Sequence, residues 1–238
     1  MGRGKDDGSD DVAQCWDREY ESGRYEAEPP VPFVRVIIDE LHRRGWAGGR
    51  GVYVGCGSGR NYAPLAAVCD GLRGIDVSES GIRRLLQKHP EYAGRVSCGN
   101  FLDCCYGAER TTTVDYLVSI QAFQHGDERT AEKYFERTAA VLRPGGLLFL
   151  RVNSAGTDVY HPHEVIERND RGGFTVIYSA GPKKGLRVHF FARRELESGL
   201  RRSGFDLLGA PVERTERRRP PKTGEWRQWE LVAVRRAQ

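Results

Sequence analysis

The stretch from Gly51 to Asn61 limits the possible fold of this chain more than any other: Gly51-Val52-Tyr53-Val54-Gly55-Cys56-Gly57-Ser58-Gly59-Arg60-Asn61. A short β-prone run enters three glycines at alternate positions, and a helix-compatible segment follows from Asn61. Glycines spaced this closely allow φ > 0 and let a ligand lie against bare backbone. The amides of the turn and the N-terminus of the next helix then face that ligand. The spacing is G-x-G-x-G, and Arg60 occupies the position where G-x-G-x-x-G would need its third glycine. That departure argues against a pyrophosphate site, and so against a nicotinamide-dependent dehydrogenase.

A second anchor stands at Leu72-Arg73-Gly74-Ile75-Asp76-Val77-Ser78, a short apolar strand ending in a carboxylate 21 residues after Gly55. An acidic side chain about 20 residues beyond the glycine turn reaches a ribose diol at the end of the neighbouring strand. Further strand-like runs follow: Arg95 to Cys98 before Gly99-Asn100-Phe101, Tyr116 to Ile120 before Gln121, and Leu147 to Val152 after Pro144-Gly145-Gly146. Tyr116 to Ile120 is almost wholly apolar, as expected of a strand covered on both faces. Over residues 50–152 this series resembles the class I S-adenosylmethionine (SAM) dependent methyltransferases. The resemblance implies an α/β fold: a doubly wound, seven-stranded, mostly parallel sheet with an antiparallel last strand, and SAM as cofactor.

The resemblance also implies site residues, position by position. Gly55, Cys56, Gly57, Gly59, Asp76 and Val77 would form the centre of the SAM site, with Asp76 on the ribose diol. Asn100 stands where family members usually carry Asp, and its side-chain oxygen can still accept from the adenine amino group. Phe101 is expected beside the adenine, with a plain core role as the alternative. Gln121 is expected at the methionine end of SAM. So are Trp16, Tyr20 and Tyr25, in a segment similar to the N-terminus of the tellurite-resistance and thiopurine methyltransferases, unless they merely pack a helix. His125 is the general-base candidate, because imidazole titrates near neutrality; a structural role is its alternative. Gln124, Arg151, Asn153 and His189 are the candidate acceptor contacts.

Residues 1–11 read as a disordered tail and 12–238 as a single domain. Val12 to Tyr20 suggests a short helix, and Phe33 to Arg44 another with the apolar stripe Val34, Ile37, Ile38 and Leu41. Ser78 is placed to cap a helix carrying Ile82, Leu85 and Leu86. A further amphipathic helix is expected from Glu128 to Leu142. From about 153 to 190 the chain departs from the minimal fold, and Phe174–Tyr178 with Leu186–Phe190 reads as a β-hairpin lid. A helix from Arg193 to Ser203, a strand from Phe205 to Leu208, a basic loop over 213–222 and a strand from Trp226 to Val234 close the sheet.

Methyl transfer from a sulfonium asks for positioning and exclusion of water more than for a catalytic triad. The sequence therefore identifies the donor better than the acceptor. Gln121-Ala122-Phe123-Gln124 stands where relatives that methylate nucleobase or glutamine amino groups carry an Asn-Pro-Pro-Tyr-like motif. A small-molecule acceptor is expected, with O-methylation ahead of N- or S-methylation. One rival is an RNA methyltransferase that holds phosphates with Lys183-Lys184 and the 214–222 loop, although a formal charge of +4 is only a weak hint of anionic partners. Another is a non-catalytic SAM-binding subunit. His161, His163 and His189 lack a Cys or carboxylate pattern that would support a metal, and the six cysteines show no CxxC pair. No metal is expected. Met1 to Asp11 has no signal-like apolar segment and no run suits a membrane span, so a cytoplasmic protein is expected.

Overall fold

Buried apolar runs at fixed periods dictate the order of elements in this computed structural model, which describes residues 7–25, 27–104 and 113–237. Helix α1 (Asp7–Glu21) precedes α2 (Phe33–Arg43), whose stripe of Phe33, Val34, Ile37 and Leu41 is buried. Then come β1 (Gly51–Val54), α3 (Tyr62–Ala66), β2 (Leu72–Asp76), α4 (Glu79–Lys88) and β3 (Val96–Cys98). Next are β4 (Val114–Ile120), α5 (Glu128–Val141) and β5 (Leu142–Asn153). A small sheet follows, made of β6 (His163–Arg168), β7 (Phe174–Tyr178) and β8 (Arg187–Phe190). The chain ends with α6 (Arg193–Arg202), β9 (Phe205–Leu207), β10 (Val212–Arg217) and β11 (Glu225–Arg235).

The main sheet runs β10-β11-β5-β4-β1-β2-β3. Strands β3, β2, β1, β4 and β5 are parallel, and β11 is antiparallel to β5. The expected doubly wound sheet is present, but β9 and β10, both antiparallel to β11, together fill the place of a single sixth strand. One face of the sheet packs Val34, Ile37 and Leu41 of α2 and Leu85 of α4. The other packs Phe135 of α5 with Leu196 and Leu200 of α6. Ser78 caps α4 as expected, its hydroxyl accepting from Gly81 N at 2.9 Å.

Three details differ from the sequence reading. Helix α1 begins at Asp7, ahead of Val12; residues 1–6 of the expected disordered tail lie outside the described residues. The lid has three strands, because β6 pairs antiparallel with β7. Its sequence, His163-Glu164-Val165-Ile166-Glu167-Arg168, hides the strand behind charges and a bulge between Val165 and Glu167, both common at a sheet edge. Much of the expected basic loop is strand β10, paired with β11 from Val212↔Glu230 to Arg217↔Glu225.

The lid has its own core. Cys15 of α1 packs with Val176, Tyr178, Leu186, Val188 and Phe190. Backbone bonds fasten β8 to the loop after β4: Gly126 N donates to Arg187 O at 3.0 Å and His189 N to Gln124 O at 2.8 Å. His125 lies between these two bonds, bridged to Val188.

Candidate functional site

The order of β1 and β4 reverses the winding of the sheet, and in such sheets the crevice beyond the carboxyl ends of the strands takes ligands. Here that crevice is a cavity of about 350 Å³, roofed by α1, the lid and the β10–β11 turn. Its inner end is walled by Val54, Gly55, Cys56, Asp76, Val77 and Asn100, and its outer end by Tyr160, His161, Tyr178, Lys183 and Trp226. Trp16, Gln121, Gln124 and His125 lie on the wall as well.

Asp76 is 7% exposed. Its carboxylate accepts from Gly57 N at 2.7 Å and from Ser78 N at 2.9 Å. Burial nevertheless pushes its pKa up to about 6, against the pull of those two amides. Each oxygen keeps acceptor capacity toward the cavity. The glycine turn serves more than a ligand. Gly57 has φ +50, and a Cβ there would run into the Tyr20 hydroxyl; a Cβ on Gly81 would come within 3.0 Å of the same ring. The middle glycine thus makes room for α1. Gly59 backs onto Leu85 of α4 and, like Gly57, lies off the cavity wall.

Helix α1 is fixed over this turn by its polar side chains. Asp17 accepts from Ser78 Oγ at 2.6 Å and from Ser80 N at 2.9 Å, and Ser80 Oγ donates to Glu21 at 2.9 Å. Trp16, Tyr20 and Tyr25 therefore come together, with ring separations of 5.8 and 6.2 Å about Trp16. Among the described residues, two outside glycine have φ > 0: Tyr25 at 70° and Gln121 at 64°. Both line the cavity. Such conformations cost about 1–3 kcal/mol and concentrate where a fold must aim a group at a ligand.

Asn100 lines the cavity, with its Oδ1 already accepting from Leu102 N at 3.0 Å. Phe101 is a wall residue and a core residue at once, 2% exposed and stacked on Phe123 at 6.1 Å. Tyr134 of α5, absent from the sequence reading, stacks on the same Phe123 at 4.5 Å and reaches the cavity.

His125 is 8% exposed, with both ring nitrogens shut off from solvent and no well-formed hydrogen bond to either among the described residues. Its ring meets Trp16 edge-on at 5.2 Å. Burial, reinforced by the charge of Lys183, pushes its pKa down to about 3, so the imidazole is neutral at physiological pH. Gln124 and Asn153 share the wall: Gln124 Oε1 accepts from Asn153 N at 2.9 Å, and Asn153 Oδ1 accepts from Trp226 Nε1 at 3.1 Å.

Two expected acceptor contacts lie elsewhere. His189 is fully buried behind the wall, with one ring nitrogen 2.8 Å from Thr175 Oγ1 and the other 2.8 Å from Glu195 Oε1. Both nitrogens are committed to joining the lid to α6. Arg151, 2% exposed, is paired with Glu230 at 3.0 Å and Glu216 at 3.1 Å, with its guanidinium 5.9 Å from the Trp226 ring. Its opposite-strand partner Glu230 keeps it in the sheet and out of the cavity. The three histidines weighed as a metal set are dispersed: His161 on the wall, His163 exposed, His189 interior. Among the described residues no group of three or more His, Cys, Asp or Glu side chains is gathered for a metal, and no helix is long and apolar enough to cross a membrane.

A family model described as a methyltransferase domain matches residues 52–146, from β1 through the turn that enters the paired part of β5. No curated protein matches the chain significantly. Solved structures share its fold. The 1,6-didemethyltoxoflavin N1-methyltransferase of Burkholderia thailandensis, solved with 1,6-didemethyltoxoflavin and S-adenosylhomocysteine, is 18% identical with a TM-score of 0.66, covering 100% of this chain and 92% of its own. The magnesium protoporphyrin IX methyltransferase of Synechocystis PCC 6803, solved with SAM, is 15% identical with a TM-score of 0.63, covering 98% and 100%. TehB of Haemophilus influenzae is 15% identical with a TM-score of 0.60, covering 92% of this chain and 67% of its own.

Proposed function

With residues 52–146 forming a methyltransferase domain of the class I SAM-dependent kind, we propose that this chain is an enzyme that methylates a small organic acceptor bound beneath the three-stranded lid. The observation that carries the reading is the cavity itself, which joins the glycine turn and Asp76 to the lid, with the buried imidazole of His125 in the wall between them. An orphaned buried polar group costs about 1–3 kcal/mol, and a bound acceptor offsets that cost by supplying the missing hydrogen bond.

The residues at the inner end suit the cofactor. Asp76 offers acceptor oxygens for a ribose diol, Asn100 an amide for the adenine edge, and Phe101 and Tyr134 flat faces beside it. Gln121, Trp16, Tyr20 and Tyr25 enclose the remaining part, where the methionine end belongs. Bound SAM supplies an electrophilic methyl group on a sulfonium. The protein's share is to align the acceptor atom with that methyl, exclude water under α1 and the lid, and receive a proton where the acceptor carries one. Neutral His125 can accept a hydrogen bond from an acceptor hydroxyl at the nitrogen its tautomer leaves unprotonated, once the ring turns that nitrogen toward the cavity. A hydroxyl acceptor fits this arrangement best, so O-methylation leads.

Three of the basic residues that suggested RNA, Lys183, Arg218 and Lys222, line the cavity of about 350 Å³, a size that favours a small acceptor over a polymer. Calorimetric titration of the full chain with SAM and with S-adenosylhomocysteine tests the cofactor assignment. Saturable binding of both, followed by S-adenosylhomocysteine release from a panel of hydroxylated acceptors, is the expected result. A chain that binds neither overturns the reading.

A further inference from the structure

The charges around the cavity divide it sharply. Five basic side chains reach the wall: Arg24, Arg60, Lys183, Arg218 and Lys222. Two are neutralised within the protein, Arg24 by Glu19 at 2.9 Å and Arg60 by Glu28 at 2.6 Å. The other three, Lys183, Arg218 and Lys222, have no ion-pair partner among the described residues. They rest on rings and carbonyls instead. Lys183 Nζ lies 5.2 Å from the Trp16 ring, and Lys222 Nζ 6.0 Å from that of Tyr160. The Arg218 guanidinium is 5.8 Å from the Tyr160 ring and donates to Glu225 O at 3.1 Å.

The nearby acids are committed elsewhere. Glu216 pairs with Arg151, and Glu225 and Glu213 pair with Arg227. Gathering like charges in a concave wall costs desolvation and mutual repulsion. The three cations come from two distant turns, β7–β8 and β10–β11, neither of which belongs to the glycine-turn motif of the cofactor end. We infer that the acceptor is an organic anion, carrying a carboxylate or a phosphate, which Lys183, Arg218 and Lys222 hold at the lid end with its apolar body against Tyr160, Tyr178 and Trp226. This deepens the proposed function and rests on it.

His161 records the same convergence. Its ring is edge-on to Tyr160 at 5.1 Å and to Tyr178 at 6.2 Å. Burial, then the charges of Lys222, Arg24, Lys183 and Arg218, hold its pKa below the ordinary value. An anion among those groups would weaken the positive field on this ring and let its pKa rise.

The test uses the full chain. Calorimetry with S-adenosylhomocysteine comes first; the saturated protein is then titrated with phenyl phosphate, benzoate and neutral benzamide at low and high salt. At least one anion should bind tenfold or more tightly than benzamide and weaken with salt, the better of the two naming the anionic group. The variant K183Q/R218Q/K222Q should lose that preference and keep its S-adenosylhomocysteine affinity, and the single variant K222Q, in an exposed turn, should lose part of it. Proton NMR of the His161 ring should report a raised pKa when the preferred anion is added. Equal binding of anions and benzamide to the saturated protein overturns the inference alone. Loss of S-adenosylhomocysteine affinity in the triple variant also overturns it, by giving these cations to the cofactor's carboxylate. Failure of the unmodified chain to bind S-adenosylhomocysteine overturns the methyltransferase reading and this inference together.

Discussion

At its inner end the cavity is built largely from main chain and from residues close in sequence: the turn after β1, Asp76 at the end of β2, and Asn100 after β3. At its outer end it is built from side chains gathered across the whole chain, among them His125, Tyr160, Lys183, Arg218 and Trp226. The inner end answers a ligand that does not change, and a strand–turn–helix motif is enough to do so. The outer end answers a variable ligand with side chains on loops and on an added sheet, where substitution disturbs the fold least. Each end should therefore be separable by mutation.

The largest effect should come from the junction of the two. A pKa of about 3 removes the near-neutral titration that suggested His125 as a general base. As a hydrogen-bonding group that orients the acceptor, His125→Ala should lower turnover of a confirmed acceptor by about thirtyfold, roughly 2 kcal/mol, while S-adenosylhomocysteine affinity stays within twofold. Unchanged turnover in steady-state kinetics would make His125 structural and leave the comparison without its hinge. Asp76→Ala acts on the inner end alone. It should weaken S-adenosylhomocysteine binding at least tenfold, about 1.4 kcal/mol, and an unchanged calorimetric affinity would remove Asp76 from the ribose.

Acidification sharpens the same contrast. The pKa of Asp76 in the free protein is about 6, and its ionised form is the better acceptor for a diol. Cofactor affinity should thus be full above pH 6 and fall below it, by up to about tenfold per unit. The stability of the free protein runs the other way for this group. A pKa raised above its unfolded value contributes stability at low pH that is lost as pH rises through 6. Calorimetry from pH 5 to 8 checks the first sign and thermal melts of the free protein check the second. The smallest functional effect belongs to His189→Ala. Loss of its bonds to Thr175 and Glu195 should cost about 1–3 kcal/mol of stability, seen as a lower Tm, with cofactor affinity unchanged. A variant with normal Tm and impaired acceptor KM would return His189 to the binding site.

Much of the inner end was legible in the sequence because its chemistry is local. Gly55, Cys56, Asp76, Val77, Asn100 and Gln121 all reach the wall, and the strands that carry them follow in the order their apolar runs suggest. The outer end was legible only in part. Lys183 and Lys222 stand out in the sequence only as members of basic turns, and Arg24 as a lone charge; that they share one wall shows only in space. His189 and Arg151 misled for the converse reason. A polar residue in the added segment, such as His189, or near the end of the strand that leads into it, such as Arg151, looks functional until its partner, Glu195 or Glu230, is seen in space. Strand β10 escaped notice because Val212-Glu213-Arg214-Thr215-Glu216-Arg217 has almost no apolar alternation; its pairing is written in charges, with Arg214 opposite β11 reaching Glu230 at 3.1 Å.

Helix α1 touches both ends at once. Asp17, Tyr20 and Glu21, at i, i+3 and i+4, face α4 and the glycine turn, whereas Val12, Cys15, Trp16 and Glu19, on the adjoining stripe, face the lid and the outer wall. The consequence is a division of evolutionary freedom within one short helix. Substitutions at Asp17, Tyr20 or Glu21 loosen the helix from α4 and the glycine turn, while those at Val12, Cys15 or Glu19 change what the helix offers the lid; Trp16, beside the proposed methionine end, belongs to both. A lineage of such enzymes could diversify its chemistry by rewriting half of α1 together with the lid, holding the remainder of the chain constant.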